Sequence, residues 1–197
     1  MISIILLAAG SSSRMRGRDK LFEIIDGVPL LRRQAQIALD ISTHVLVALP
    51  SRAHPRYNLL SGLNVEVIEV PDAAEGIGAS LRTVFEAIPM STTHAMLLLA
   101  DMPDITATDL GLIIDEIQAH PEALVWRGMT ENGKPGHPIA FHRQLFDALA
   151  CLSGDNGGRD IVKAAKDRVR LVCLPGQRAR CDLDTPEEWA AWRSRQI

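Results

Sequence analysis

Basic residues hold no majority in this sequence: 21 Lys and Arg stand against 24 Asp and Glu, a formal net charge of -3. A chain without a cationic surplus has no global pull toward nucleic acid or an anionic membrane. Cysteine is scarce. Cys151, Cys173 and Cys181 are odd in number and show no paired metal spacing, which excludes a disulfide framework and fits a reduced, cytoplasmic setting. No apolar run approaches the ~18 residues of a membrane span. The apolar start, Met1 to Leu7, lacks a basic region and is too short for a signal peptide. Aromatic residues make up 4%, and Trp126, Trp189 and Trp192 read as packing residues rather than a stacking platform. Walker A is absent, since no Gly-Lys-Ser/Thr closes a Gly-rich loop, and so is Gly-x-Gly-x-x-Gly. His44, His54, His94, His120 and His142 show no ligand spacing.

What is present is a core. Hydrophobic residues form 47% of the chain, and one domain over residues 1–197 is expected. Ile4–Ala8, Val45–Leu49 and Ala95–Ala100 read as strands buried on both faces. Val65–Val70 alternates apolar with acidic residues, as at a sheet edge. Helical patterns run from Pro29 to about Asp40, over Ala79–Ile88, and from Thr106 to about Gln118. Thr106 and Asp109 occupy capping-box positions. Ala123–Arg127 and Ile139–Phe141 read as strands around a polar, Gly-rich loop. Arg143–Leu152 and Arg159–Lys166 read as helices, and Val169–Leu174 as a last strand. Thr185-Pro186-Glu187-Glu188 starts a final helix. The alternation predicts an α/β fold: a three-layer, Rossmann-like, mainly parallel twisted sheet with helices on both faces. Ligands in such sheets bind beyond the carboxyl ends of the strands. The loop after the first strand and Asp101 at the end of a central strand are therefore expected on one edge.

That loop is the richest segment. Ala8-Ala9-Gly10-Ser11-Ser12-Ser13 gives way to Arg14, Arg16, Arg18 and Lys20, four cations in seven residues. Small residues let backbone N–H groups approach a ligand, and cations grip its anionic oxygens. A polar connection with solvated cations is the ordinary alternative. Four cations directly after a buried strand favour an anion of the kind a nucleoside triphosphate presents.

Leu7-Ala8-Ala9-Gly10-x-Ser12-x-Arg14-Met15, followed by Asp19-Lys20-Leu21, resembles the N-terminal motif of nucleotidyltransferases with the glycosyltransferase-A-like fold. It is most similar to the molybdenum cofactor nucleotidyltransferases, in particular their cytidylyltransferase branch. Glu75–Arg82, Ala100–Pro103, Gly136-His137-Pro138, Gly154–Arg159 and Asp182–Glu187 continue the resemblance in order along most of the chain. Arg16 makes the loop one residue longer than the family's usual spacing, so Arg14, Arg16 and Arg18 compete for the phosphates. Arg14 and Lys20 match the motif.

The resemblance implies transfer of a nucleoside monophosphate from a nucleoside triphosphate to a phosphorylated acceptor, molybdopterin or molybdenum cofactor, with release of pyrophosphate. The product would pass to a molybdoenzyme or its chaperone. Residues 1–105 would form the nucleotide-binding half and 106–197 the acceptor-binding half. Leu7, Ala8, Ala9, Gly10, Ser11, Arg14, Lys20, Gly76, Gly78, Ser80 and Asp101 would bind nucleotide, with Arg14, Lys20 and Asp101 catalytic. Mg²⁺, or Mn²⁺ in its place, would bind Asp101 and Asp184. The guanylyl branch carries Gly where Ala9 stands; a Cβ there narrows the base pocket and favours CTP.

From spacing alone, Asp101 is a turn carboxylate or a metal ligand, and Asp184 a helix-dipole partner or a ligand. Asp182 is a weaker metal candidate, Asp104 structural and Arg82 a solvated helix residue. The two polar segments of the second half suggest the acceptor pocket, through His137, Asp155 and Arg159. His137 also reads as a surface-loop histidine, and Arg159 as a helix start. No Ser-His-Asp or Cys-His set is present, and a phosphate nucleophile, ionised near neutrality, needs no general base. Competing functions are transfer to a sugar or polyol phosphate, and a non-catalytic pterin or nucleotide carrier. A Rossmann dehydrogenase is disfavoured by the missing third glycine.

Overall fold

A computed structural model describes residues 1–154 and 157–196. The chain opens with β1 (Ile2–Leu7), makes a small hairpin from β2 (Ile24–Ile25) and β3 (Val28–Pro29), and enters α1 (Leu30–Ile41). Next come β4 (Val45–Leu49), the single turn α2 (Arg56–Leu59) and β5 (Glu66–Glu69). They are followed by α3 (Ile77–Ala87), β6 (His94–Leu99) and α4 (Ala107–Ala119). The second half contains β7 (Val125–Met129), β8 (Pro135–His142), α5 (Phe146–Ala150), α6 (Arg159–Ala164), β9 (Val169–Cys173) and α7 (Pro186–Ser194).

Seven strands form one sheet in the order β5-β4-β1-β6-β8-β7-β9. β1 pairs in parallel with β4 and β6, β4 with β5, and β7 with β9. β8 runs antiparallel to both neighbours. The sheet is mainly parallel, and β5 lies at its edge, as the sequence pattern predicts. Successive strand side chains point to opposite faces. Ile4 and Leu6 therefore join one core with Leu31 of α1, Ile113 of α4 and Trp189 of α7. Ile5 enters the other, with Leu81 of α3 and Leu149 of α5. Ile4, Ile5 and Leu6 are all fully buried, which is why β1 is apolar from Ile4 onward. Each such side chain contributes ~2 kcal/mol of burial. The helices on both faces make the three layers.

Two helix starts match their sequence signals. Thr106 and Thr185 each cap a helix, and Asp109 and Glu188 complete the reciprocal bonds. Trp126, Trp189 and Trp192 are buried packing residues, as expected. No helix among the described residues is long and apolar enough to cross a membrane.

Other boundaries differ. β2, β3 and α2 are too short to carry a periodicity and escape the sequence pattern. α3 begins two residues before Ala79, at Ile77. The helix expected over Arg143–Leu152 is a 3-10 turn at Arg143–Leu145 followed by α5, its start capped by His142 accepting from the Gln144 N–H. The loop expected around Gly136-His137-Pro138 is part of β8, because pairing with β7 reaches back to Met129 opposite Pro135.

Candidate active site

β1 and β6 are neighbours in register, Leu7 beside Leu99. Both end at the same edge, so the loop from Ala8 to Lys20 and the Ala100–Asp101 segment emerge together. The Ala100 N–H donates to the Leu7 carbonyl at 3.1 Å and ties them at the exit. The loop then makes 3-10 turns at Ser13–Met15 and Lys20–Phe22, with Ser12 (φ 53) and Arg16 (φ 52) in the left-handed region. Met15 and Leu21 are buried and anchor it in the core.

Lys20 points back across the edge. Its ammonium lies 2.5 Å from Asp101 Oδ2 and 2.6 Å from Asp184 Oδ1. Arg14 pairs with the other oxygen of Asp184 at 2.7 Å. Burial lowers the Lys20 pKa, but Asp101 and Asp184 outweigh it and hold the group above the ordinary lysine value. Arg16 and Arg18 turn elsewhere, to Glu187 and Glu23. Of the four loop cations, Arg14 and Lys20 line the cavity and the other two do not.

Asp184 reaches this point through its helix cap. Glu188 Oε2 accepts from both the Asp184 and Thr185 N–H groups, at 2.8 and 2.9 Å. One residue earlier, the Leu183 N–H donates to the Asp101 carbonyl at 3.1 Å. Leu183 is buried, while Asp182 and Asp184 on either side both line the cavity. Burial raises the Asp182 pKa, and the nearby Asp101 and Asp184 carboxylates add to the rise.

The cavity holds about 890 Å³. Leu7, Ala8, Ala9, Gly10, Ser11, Gly76, Ser80 and Asp101, all in the set proposed for nucleotide, line it together with the apolar Val70, Pro71 and Ile77. Gly76 has φ 115, a conformation that favours glycine at the turn into α3. Gly78 is a correction. It is buried, its N–H is committed to the Gly154 carbonyl at 2.9 Å, and a Cβ would stand 2.6 Å from that oxygen. It packs α3 against the Ser153–Gly154 segment after α5 and does not line the cavity. Arg82 lies in α3 as expected but is only partly solvated, bonding the Leu152 carbonyl and Glu75. Asp104 accepts from the Trp192 indole at 2.7 Å, a structural role as expected.

Residues outside the expected set complete the site. Pro50, Ser51 and His54 from the connection after β4 line the cavity. Behind it, Arg56 is 1% exposed and pairs with Asp19, the residue before Lys20. Burial raises the Asp19 pKa, but hydrogen bonds from Arg56, the Leu21 N–H and Ser12 bring it below the ordinary aspartate value. Asp19 stood beside Lys20 in the motif. Arg56 carried no local signal, because only the sheet order brings the β4 connection beside that of β1.

The acceptor candidates lie apart. His137 sits in β8 and does not line this cavity. Burial, then Arg127, drives its pKa down to about 4, and its buried Nδ1 has no hydrogen-bond partner. It is a neutral strand residue, not a loop histidine. Arg159 is exposed at the start of α6, near enough to Arg127 that its charge, with burial and Arg180, lowers the Arg127 pKa. Asp155 lies outside the described residues.

A divalent cation takes oxygen ligands, often one or two carboxylates completed by phosphate oxygens. The Asp101 Oδ1 atom is buried without a partner, an open oxygen donor beside Asp184. No group of three or more His, Cys, Asp or Glu side chains set for a metal exists among the described residues. The donors fit an ion that shares its shell with substrate.

Known proteins agree with this architecture. The profile described as MobA-like NTP transferase domain matches residues 4–169. A protein from Natronomonas pharaonis, named probable molybdenum cofactor guanylyltransferase, is 32% identical over 97% of this chain and 96% of its own length. The crystal structure of Rv0371c from Mycobacterium tuberculosis H37Rv superimposes with a TM-score of 0.83 at 25% identity, covering 98% of this chain and 97% of that one. Its complex with manganese gives 0.79 at 25% identity, covering 96% of each chain. A profile match over most of the chain, on a shared fold, assigns this protein to the MobA-like NTP transferase family.

Proposed function

We propose that the chain transfers a cytidylyl group from CTP to a phosphorylated acceptor of the molybdopterin class. Nucleotidyl transfer of the MobA-like type is the activity of its family. The observation that carries the reading is Lys20, whose ammonium is held between Asp101 and Asp184 in a cavity that also contains the small residues Ala8–Ser11.

In this reading the triphosphate lies along the Ala8–Ser11 backbone, with the base toward Ala9, Gly76 and Ser80. An oxygen of the acceptor phosphate attacks the α-phosphorus. A new P–O bond forms as the bond to the α–β bridging oxygen breaks, and that electron pair leaves with pyrophosphate. The attacking phosphate is already ionised, so no residue needs to take a proton from it. Lys20 and Arg14 neutralise charge on the α- and β-phosphates. Asp101 and Asp184 would hold Mg²⁺ or Mn²⁺, which supplies further charge neutralisation at phosphate oxygens; the manganese complex of Rv0371c supports a divalent ion. On the acceptor side the reading uses Arg159, whose charge adds to those of Arg127 and Arg180, with His137 as a neutral hydrogen-bonding group. The nucleotide half is then residues 1–105, completed by Asp182 and Asp184 from the acceptor half. A cytoplasmic location, with Cys151, Cys173 and Cys181 reduced, belongs to the same reading.

A second reading takes GTP as the donor, favoured by the name of the N. pharaonis relative. Against it stands Ala9, whose Cβ occupies cavity wall that a purine would approach. Pyrophosphate release decides, measured with each of CTP, GTP, ATP and UTP against molybdopterin, a sugar phosphate and a polyol phosphate. CTP-dependent release with molybdopterin is expected. Release with GTP alone moves the protein to the second reading, and release only with sugar or polyol phosphates overturns the acceptor.

A further inference from the structure

Nothing in the transfer above uses Arg56, yet all three of its guanidinium nitrogens are engaged with the loop that carries Lys20. Nε and Nη2 meet the two oxygens of Asp19, each at 2.7 Å. Nη2 also reaches Ser12 Oγ at 3.1 Å, and Nη1 donates to the Ala8 carbonyl at 2.6 Å. Ala8, Ser12 and Asp19 span the loop from its first residue to the one before Lys20. Asp19 extends the grip, accepting from the Leu21 N–H at 3.0 Å and Ser12 Oγ at 3.1 Å. Arg56 itself belongs to a different connection, the one after β4.

We propose that Arg56 is a positioning residue for nucleotidyl transfer: its guanidinium sets the course of the 8–20 loop and, through Asp19, the place of the Lys20 ammonium. This rests on the proposed role of Lys20. A guanidinium is a planar fork whose donors fix several points at once, where a lysine ammonium is a single point charge. The loop needs such a brace, because Ser12 holds a left-handed conformation that non-glycine residues adopt only under constraint. The Ala8 carbonyl is also turned toward Arg56, so its oxygen does not oppose an anionic ligand. Taking a charged pair out of water costs much of what the pair regains, so stability alone is a weak reason for it.

The test is a double-mutant cycle between Arg56→Lys and Lys20→Ala, read as triphosphate Kd by calorimetry, with kcat and the melting curve of each protein. Arg56→Lys is expected to keep a cooperative melt, lose about a hundredfold in kcat and weaken triphosphate binding. In the Lys20→Ala background it should change Kd by less than about twofold, because the group it positions is gone. The same loss of binding in both backgrounds, or an unchanged kcat in Arg56→Lys, overturns the proposal. Should Arg56→Lys fail to fold, Asp19→Asn takes its place in the cycle. Should neither fold while Lys20→Ala does, Arg56 is a core residue and the proposal fails. A wild-type protein that binds no triphosphate would overturn the proposed function instead; wild-type binding matched by Arg56→Lys, with kcat intact, overturns this inference alone.

Discussion

Lys20 Nζ lies 2.6 Å from Asp184 Oδ1, across 164 residues of chain. The carboxylate is there because a helix cap puts it there: Glu188 holds the Asp184 N–H, and the Leu183 N–H on the other side is bonded to the Asp101 carbonyl. The cap that starts α7 thus also aims a side chain into the cavity. The ammonium is compensated on two sides and, with its pKa held above the ordinary lysine value, carries its charge throughout the neutral range.

Replacing Lys20 with Ala should therefore strike activity harder than folding. Turnover is expected to fall by about 10²–10³, the scale for losing one group that stabilises developing charge. Arg14 remains to partner Asp184, so the melting temperature should drop only modestly. Pyrophosphate release and a thermal melt measure the two effects. Near-normal transfer in the variant would refute the phosphate role.

Asp101→Asn keeps the side chain's volume and removes its charge, replacing one of the two carboxylate oxygens with an amide NH₂ that cannot ligate a cation. Transfer should become undetectable, and Mn²⁺ binding in the presence of nucleotide, followed by electron paramagnetic resonance, should weaken. Full wild-type activity in excess chelator would rule out the metal arrangement.

Ala9→Gly opens the cavity wall beside the expected base position. GTP should then compete better against CTP, with the ratio of kcat/KM values moving toward GTP. An unchanged ratio removes the argument for cytidylyl preference that rests on this residue.

Acid should destabilise the fold partly through two histidines. Burial, with Arg127 for His137 and with His142 and the N-terminus for His94, lowers both pKa values from 6.5 to about 4. As pH falls, the unfolded chain takes up these protons first. The stability they contribute is present above pH 6.5 and lost as pH falls from there through about 4. Urea midpoints should decline over that window, and His137→Gln should flatten the decline. Parallel curves for wild type and variant would remove His137 from the account.

Much of this was readable in one dimension. β1, β4 and β6 were visible because strands covered on both faces leave unbroken apolar runs, at Ile4–Ala8, Val45–Leu49 and Ala95–Ala100. Thr106 and Thr185 were visible because a capping box places its two partners three residues apart. Asp101 stood out because it ends an apolar run of that kind, and Lys20 because it closes the cationic loop that follows another. Local bonding leaves a local record.

Arg56, His54 and the fate of Gly78 left none. Gly78 looked like a glycine for ligand approach, and the Gly154 carbonyl that actually needs the space is 76 positions further on. The motif pointed to Arg14 over Arg16 and Arg18, but the reason the other two turn away, toward Glu187 of α7 and Glu23, is tertiary. By itself the amino-acid order determined the elements, the caps and the group of residues from which the site is drawn, since those follow from contacts within a few positions. Which of them meet, and which side chain braces the loop, was decided by the order of strands in the sheet, because hydrogen bonds and charge pairing act over ångströms in space whatever the separation along the chain.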